Sequence, residues 1–156
     1  MIIRLAVKDD LNRINELRKQ VNDLHVEGRP ETFKAGFPEE LRDHIHTMFN
    51  DPDIRIIVCE IDGETEAFAV LNHIRKPETP YMFTRDYLDI DEFCVDEKHR
   101  RMGIGRELIG YIREYAITAG FDRVELNMWE FNRDALDFYE SVGFKTYRRY
   151  MELECK

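Results

Sequence analysis

The passage that most constrains the fold of this chain runs from a strand-like segment at residues 90–95, through Arg100-Arg101-Met102-Gly103-Ile104-Gly105, into an amphipathic helix at residues 106–119. Strand, glycine-bearing turn and helix in that order expose the first N–H groups of the helix. Those groups have no intrahelical partner and carry partial positive charge, which makes a site for a phosphate-bearing ligand. Glycine lets a diphosphate approach the main chain with no Cβ in the way. Arg100, Arg101 and Arg106 add donors and charge where an anion would sit.

Three glycine-loop patterns compete for this passage. A Walker-type loop requires Gly-Lys-Ser/Thr, and Gly105 is followed by Arg106-Glu107. A dinucleotide fingerprint requires Gly or Ala three residues after Gly105, and Leu108 stands there. The third pattern, Arg/Gln-x-x-Gly-x-Gly/Ala, is met by Arg100, Gly103 and Gly105. A second run follows, in which Asn132, Ala135, Phe138, Tyr139, Gly143 and Phe144 fit Asn-x-x-Ala-x-x-Phe-Tyr-x-x-x-Gly-Phe. In these two runs the chain resembles the GNAT superfamily of N-acetyltransferases, whose pyrophosphate loop for acetyl-CoA carries the third pattern. The resemblance is strongest over residues 87–144 and extends across the chain.

Composition sets the outer bounds. At 156 residues, with 43% hydrophobic and 12% aromatic content, the chain suits one folded domain, residues 1–156, with its own core. No apolar run reaches the roughly 20 residues needed to span a bilayer, and the N-terminus lacks a signal-peptide layout. Cys59, Cys94 and Cys155 are odd in number and form no metal-like pair, which points to a reducing, cytoplasmic setting. A net charge of −9 argues against nucleic-acid binding and could steer a cationic substrate.

Periodicity predicts a strand at 2–7, then a helix capped by Asp9 or Asp10 with Leu11, Ile14, Leu17, Val21 and Leu24 on one face. Gly28-Arg29-Pro30 breaks that helix, and Pro38 opens a shorter one with Leu41, Ile45 and Phe49 inward. Residues 54–61 and 65–74 read as strands joined by an Asp62-Gly63 hairpin turn. A loop follows at 75–86, then the strand ending at Val95. The helix after the glycine turn presents Leu108, Ile109, Ile112, Tyr115, Ala116 and Ala119 on one face and ends at Gly120. A strand at 123–129, a short helix at 133–142 capped by Asn132 and stopped by Gly143, and a final strand at 144–153 complete the chain. This order is that of a mixed α/β domain with a central sheet. The resemblance adds the remaining detail: a mixed sheet flanked by helices, with the strands before the loop and after its helix splayed to admit the pantetheine arm of acetyl-CoA.

The reaction that the resemblance implies is direct transfer of acetyl from the thioester to an amine, with no metal. A lysine-like amine has a pKa of about 10.4, so only about one molecule in 2,500 is free base at pH 7. A proton acceptor is therefore needed, and a donor helps the departing thiolate. Tyr139 matches the family's general-acid tyrosine. Asn132 caps its helix and matches an asparagine that contacts the pantetheine arm or a water. Phe93, Cys94 and Val95 match the strand whose main chain pairs with pantetheine, which leaves their side chains as packing groups.

For the base, Asp91 or Glu92 is the expectation, with Asp89 nearby. Strand alternation puts Asp89 and Asp91 on one face and Glu92 on the other. Glu125 and Asn127 are further candidates for positioning a water. His25 and residues 29–33 could wall an acceptor pocket, and His44 and His46 diverge on their helix. The expected acceptor is a small cationic amine. A protein or peptide acceptor, or a non-catalytic acyl-CoA-binding module, are the alternatives. A homodimer is compatible with the apolar residues of the last segment, among them Tyr147, Tyr150 and Met151.

Overall fold

The computed structural model describes residues 1–155. Five strands form one sheet in the order β1-β2-β3-β4-β5: β1 Ile2–Leu5, β2 Ile54–Ile61, β3 Glu64–Lys76, β4 Arg85–Val95 and β5 Val124–Leu126. The first four pair antiparallel, and β5 runs parallel to β4. Helices α1 (Leu11–Gly28) and α2 (Glu39–Asn50) cover one face; α3 (Ile104–Thr118) and α4 (Arg133–Ser141) lie on the other. This is the mixed α/β architecture that the order of periodic segments implied.

Alternation along the strands divides the core into two layers. Ala67, Ala69 and Leu71 of β3 face α3, where Ile104, Leu108, Ile109, Ile112 and Ala116 are buried. Phe68 and Val70 of the same strand face α1, against Leu11, Ile14 and Leu17. The β2–β3 hairpin turns through Asp62 (φ 52°) and Gly63 (φ 90°), the left-handed pair that a two-residue turn between twisted strands requires.

Three expectations are corrected. Asp10 stands before α1 but does not cap it. Its carboxylate instead takes Arg4 (2.7 and 3.0 Å), the Val7 N–H (2.7 Å) and the Thr65 hydroxyl (2.9 Å). The strand at 123–129 is paired only over Val124–Leu126. The final strand at 144–153 does not pair with the sheet: that segment has no regular structure and lies exposed beyond Phe144.

A fourth difference re-aims β4. Val70 faces Glu92 and Leu71 faces Ile90, so Asp91 is an extra residue, a β-bulge. Leu88 and Ile90 point toward α3 before the bulge, and Phe93 and Val95 do so after it. The parity has shifted by one, which puts Asp89 and Glu92 on the same face, opposite to strict alternation.

Candidate functional site: a backbone cradle at the mouth of two diverging strands

β4 and β5 are paired only from Leu88↔Val124 to Ile90↔Leu126. From Asp91 onward the β5-facing edge of β4 has no strand partner among the described residues, and residues 91–95 line one side of a wedge-shaped opening. α3 begins at the mouth of that wedge. Gly103, at φ 86°, ends the turn before it, and Arg101 also lies in the left-handed region, at φ 63°. Among the described residues, no group of the protein accepts a hydrogen bond from the N–H groups of residues 101–105. Five successive unpartnered N–H groups at a helix N-terminus make a concave anion receptor.

The two glycines of the turn do different work. A Cβ on Gly103 would meet nothing within 4 Å, so that residue is glycine for its backbone angle. A Cβ on Gly105 would lie 3.0 Å from the Phe138 ring and 3.6 Å from Val95, so Gly105 lets α3 close against α4 and the end of β4. Ile104 is buried beneath the loop, and Met102 is exposed. Arg100 folds back and donates to the Val95 carbonyl (3.1 Å). Arg101 is nearly free in solvent, 3.7 Å from Asp134. Arg106 reaches the Ser141 carbonyl and hydroxyl of α4, each at 3.4 Å.

α4 brings Tyr139 to the wedge. Asn132 accepts from the Ala135 N–H (3.1 Å), and Gly143, at φ 102°, ends the helix. The Tyr139 ring packs on Phe138, Phe144 and Phe93, with centroids 5.2, 5.5 and 6.0 Å away. Among the described residues, no hydrogen bond reaches its hydroxyl. Burial, followed by the neighbouring Cys94, pushes the phenol well above its usual range, so it holds its proton at neutral pH. Burial pushes the Cys94 thiol up to about 11, which makes it a poor nucleophile near neutrality.

The carboxylates of β4 and β5 differ sharply in their surroundings. Glu92 receives Nε and Nη2 of Arg18 at 2.8–3.1 Å. Arg18 is almost fully buried and also donates to Asn15 (2.9 Å) and the Leu41 carbonyl (2.8 Å). Glu92 thus ties β4 to α1 through a paired carboxylate. Glu125 accepts from Arg85 and from the Tyr147 hydroxyl (2.7 Å). Asp91 is exposed at the bulge. Asp89 is half-buried, and among the described residues no side chain pairs with it. Its pKa is raised by burial first, then by Asp91 and Glu125. Asn72, opposite Asp89 on β3, has a buried carbonyl oxygen with no partner.

One wall was only partly anticipated. Phe33 stacks on His25 (4.8 Å) and sets its edge against Trp129 (5.3 Å), and Trp129 stacks on Phe131 (6.5 Å). The end of α1 and the loop after it therefore meet the chain leaving β5. Asn127, on that same stretch, is exposed. The sequence signal for Arg18 is its place on the stripe of Leu11 and Ile14, because a charge on an apolar stripe requires a buried partner. Glu66, Asp96 and His99 bring ligand-type atoms within 4.8 Å of one another. The Arg13 guanidinium already bonds Glu66 (2.8 Å) and Asp96 (2.6 Å), so a cation occupies that position from within the fold.

A family model described as the acetyltransferase (GNAT) family matches residues 18–144. An uncharacterised N-acetyltransferase of Methanocaldococcus jannaschii is 36% identical over 90 residues, 56% of this chain and 38% of that protein. The chain matches only about a quarter to two-fifths of the length of its curated relatives. The crystal structure of a tetramutant of the BH1408 protein from Bacillus halodurans superposes with a TM-score of 0.94, at 30% identity over 99% of both chains. An aminoglycoside N-acetyltransferase in complex with CoA shares the fold, with a TM-score of 0.73 at 15% identity over 99% of both chains.

Proposed function

The chain belongs to the GNAT family of acetyltransferases, and from that premise we propose that it transfers an acetyl group from acetyl-CoA directly to the primary amine of a small cationic metabolite. The observation that carries this reading is the cradle of unpartnered N–H groups at residues 101–105, opening onto the unpaired edge of β4. An anion receptor beside a free strand edge suits a ligand with a diphosphate followed by an amide-bearing arm. The cradle would hold the diphosphate, with Arg101 supplying charge beside it and Arg100 and Arg106 stiffening the loop from either end. The main chain of Phe93, Cys94 and Val95 would pair with the arm, and Asn132, whose amide nitrogen has no partner among the described residues, would contact it. When bound, acetyl-CoA supplies an activated acyl group on a thiol leaving group.

The side chains then have separable tasks. Tyr139 keeps its proton and faces the wedge without a competing acceptor, which suits donation to a departing thiolate. The amine's proton is assigned to the carboxylates at the bulge, Asp91 and its half-buried neighbour Asp89, rather than to Glu92. The neighbouring carboxylates of Asp89, Asp91 and Glu125 favour a cationic acceptor, as does the net charge of −9. Three free thiols accord with a reducing, cytoplasmic setting. No helix among the described residues is long and apolar enough to cross a membrane.

Calorimetric titration with acetyl-CoA, with ATP and NAD as controls, tests the reading at its base. Selective binding that Gly105→Glu abolishes is the expected result. A folded protein that ignores acetyl-CoA would remove the assignment of the cradle and the reaction with it.

A further inference from the structure

Three polar side chains stand level with one another on the sheet face opposite α3. Asn72 of β3 is paired with Asp89 of β4, and Asp89 with Glu125 of β5. Residues directly opposed on neighbouring strands point to the same face. Phe68 and Val70 of β3 face α1, so Asn72, two residues on, lies on their side of the sheet. Asp89 lies there too, between Leu88 and Ile90, which face α3. The three side chains make one row across the strands, with Asp89 at its centre.

The two flanks of that row differ. Glu125 is mostly buried, but Arg85 and the Tyr147 hydroxyl (2.7 Å) both donate to it. Asn72 is the reverse: its side-chain carbonyl oxygen is buried, and none of the described residues donates to it. A buried acceptor without a donor costs free energy, so this oxygen calls for one. Asp89, directly opposite, supplies a donor only when its carboxyl is protonated. Directly opposed residues of an antiparallel pair have Cβ atoms about 4.5–5.5 Å apart, within reach of a hydrogen bond between carboxyl and amide. Burial favours the protonated carboxyl, and Asp91 of the same strand and Glu125 add to it, whereas Lys76 of β3 opposes it.

We propose, on the acetyl-transfer reading and with Asp89 as the base, that Asn72 is its positioning residue: the Asn72 side-chain carbonyl accepts the O–H that Asp89 acquires from the amine. In that step an N–H bond of the ammonium group breaks. Its electron pair stays on nitrogen, which becomes the nucleophile, and the proton forms the O–H bond on Asp89. The hydrogen bond to Asn72 exists only after the transfer, so it favours the forward direction. A neutral acceptor does this without adding a further charge to an already acidic surface.

The test is a carbon-13 NMR titration of the carboxyl groups in the full chain, with neither acetyl-CoA nor acceptor present. The Asp89 signal is the one lost in Asp89→Asn. Asn72→Leu keeps the branched shape and removes the acceptor. It should lower the Asp89 midpoint by about half a pH unit, the worth of a hydrogen bond made to the protonated form alone. Without such a bond the substitution acts the other way, because Leu desolvates the carboxylate further. A midpoint that is unchanged or raised overturns the proposal. A second measurement needs no variant: in the wild-type chain the side-chain carbonyl carbon of Asn72 should titrate with the Asp89 midpoint, and one that ignores it overturns the proposal as well. Acetyl-CoA affinity of Asn72→Leu should match that of the wild type. A protein that ignores acetyl-CoA but shows the NMR shift would lose the proposed reaction and keep the Asn72–Asp89 bond, so the two failures are distinct.

Discussion

Burial raises the pKa of both Tyr139 and Asp89, and among the described residues neither side chain has a hydrogen-bond partner. Removing the Tyr139 hydroxyl leaves its ring contacts with Phe93, Phe138 and Phe144 in place. Tyr139→Phe should therefore fold normally and bind acetyl-CoA as before, while turnover falls roughly a hundredfold, the usual worth of a positioned proton donor. A thiol-release assay beside calorimetry separates the two effects; unchanged turnover removes Tyr139 from the mechanism. Asp89 faces Asp91 on its own strand, Glu125 on β5 and Lys76 on β3, and it keeps its proton to higher pH than a free carboxylate. If it accepts the amine's proton, kcat/KM should rise with pH through its raised pKa, and Asp89→Asn should abolish that acid limb. Should Asp91→Asn abolish it instead, the bulge residue is the base. The sequence made the position of Tyr139 on α4 and of Asn132 at its N-cap legible, because one motif fixes their spacing. It did not show which carboxylates are paired or which face each takes: the pairing rests on Arg18, 74 residues from Glu92 along the chain, and the faces on a bulge that no local pattern announces.

At the scale of elements, arginines fasten α1 to the strands. Arg18 spends its donors on Glu92, Asn15 and Leu41, so it joins α1, α2 and β4 at one point. Replacing it with Met leaves the mostly buried Glu92 carboxylate without its partner, and chemical denaturation should show a loss of about 3 kcal/mol. Arg13, nearer the start of α1, does the same at the same end of β4, bonding Glu66 of β3 and Asp96 just beyond β4. Burial raises the pKa of Asp96, but the Lys98 N–H, Arg13 and Gln20 outweigh burial and hold it below the usual carboxylate range. A carboxylate depressed on folding stabilises the native state above its unfolded pKa of about 3.9, and that contribution is lost as pH falls through the folded value. Asp96→Asn should accordingly lower the midpoint of urea unfolding at pH 7, with the gap closing below about pH 4. A gap that is constant with pH would mean that the network contributes packing alone. Elements were read best where periodicity or a glycine marked them: α1, α3, the β2–β3 hairpin and α4. They were read worst where pairing depends on distant chain, as at residues 127–129, which leave β4 to open the wedge, and at residues 144–153, whose strand pattern pairs with no strand of the sheet.

At the scale of the whole molecule, charge separates the two ligands that the proposed reaction would bring together. A net charge of −9 lays a negative field over most of the surface, and the acidic row at the wedge concentrates it where the amine would enter. The cradle at residues 101–105 and the exposed Arg101 oppose that field locally. An anionic cofactor must therefore cross a repulsive field to reach a small positive receptor, whereas a cationic acceptor is drawn in from a distance. Salt screens both effects, because the Debye length falls from about 30 Å at 0.01 M to about 10 Å at 0.1 M. Once an acceptor is in hand, its kcat/KM should fall by about tenfold as ionic strength rises across that range, since long-range steering acts on the encounter rate. The association rate of acetyl-CoA should stay level or rise over the same range, because screening weakens the global repulsion while the short hydrogen bonds of the cradle persist. Stopped-flow binding of acetyl-CoA and steady-state rates with the amine, measured in one salt series, would give the two slopes. Opposite signs would place the attraction in the acceptor's approach. A fall in both would mean that the local positive site governs the cofactor's arrival from the outset, and that the acidic row acts only on contact.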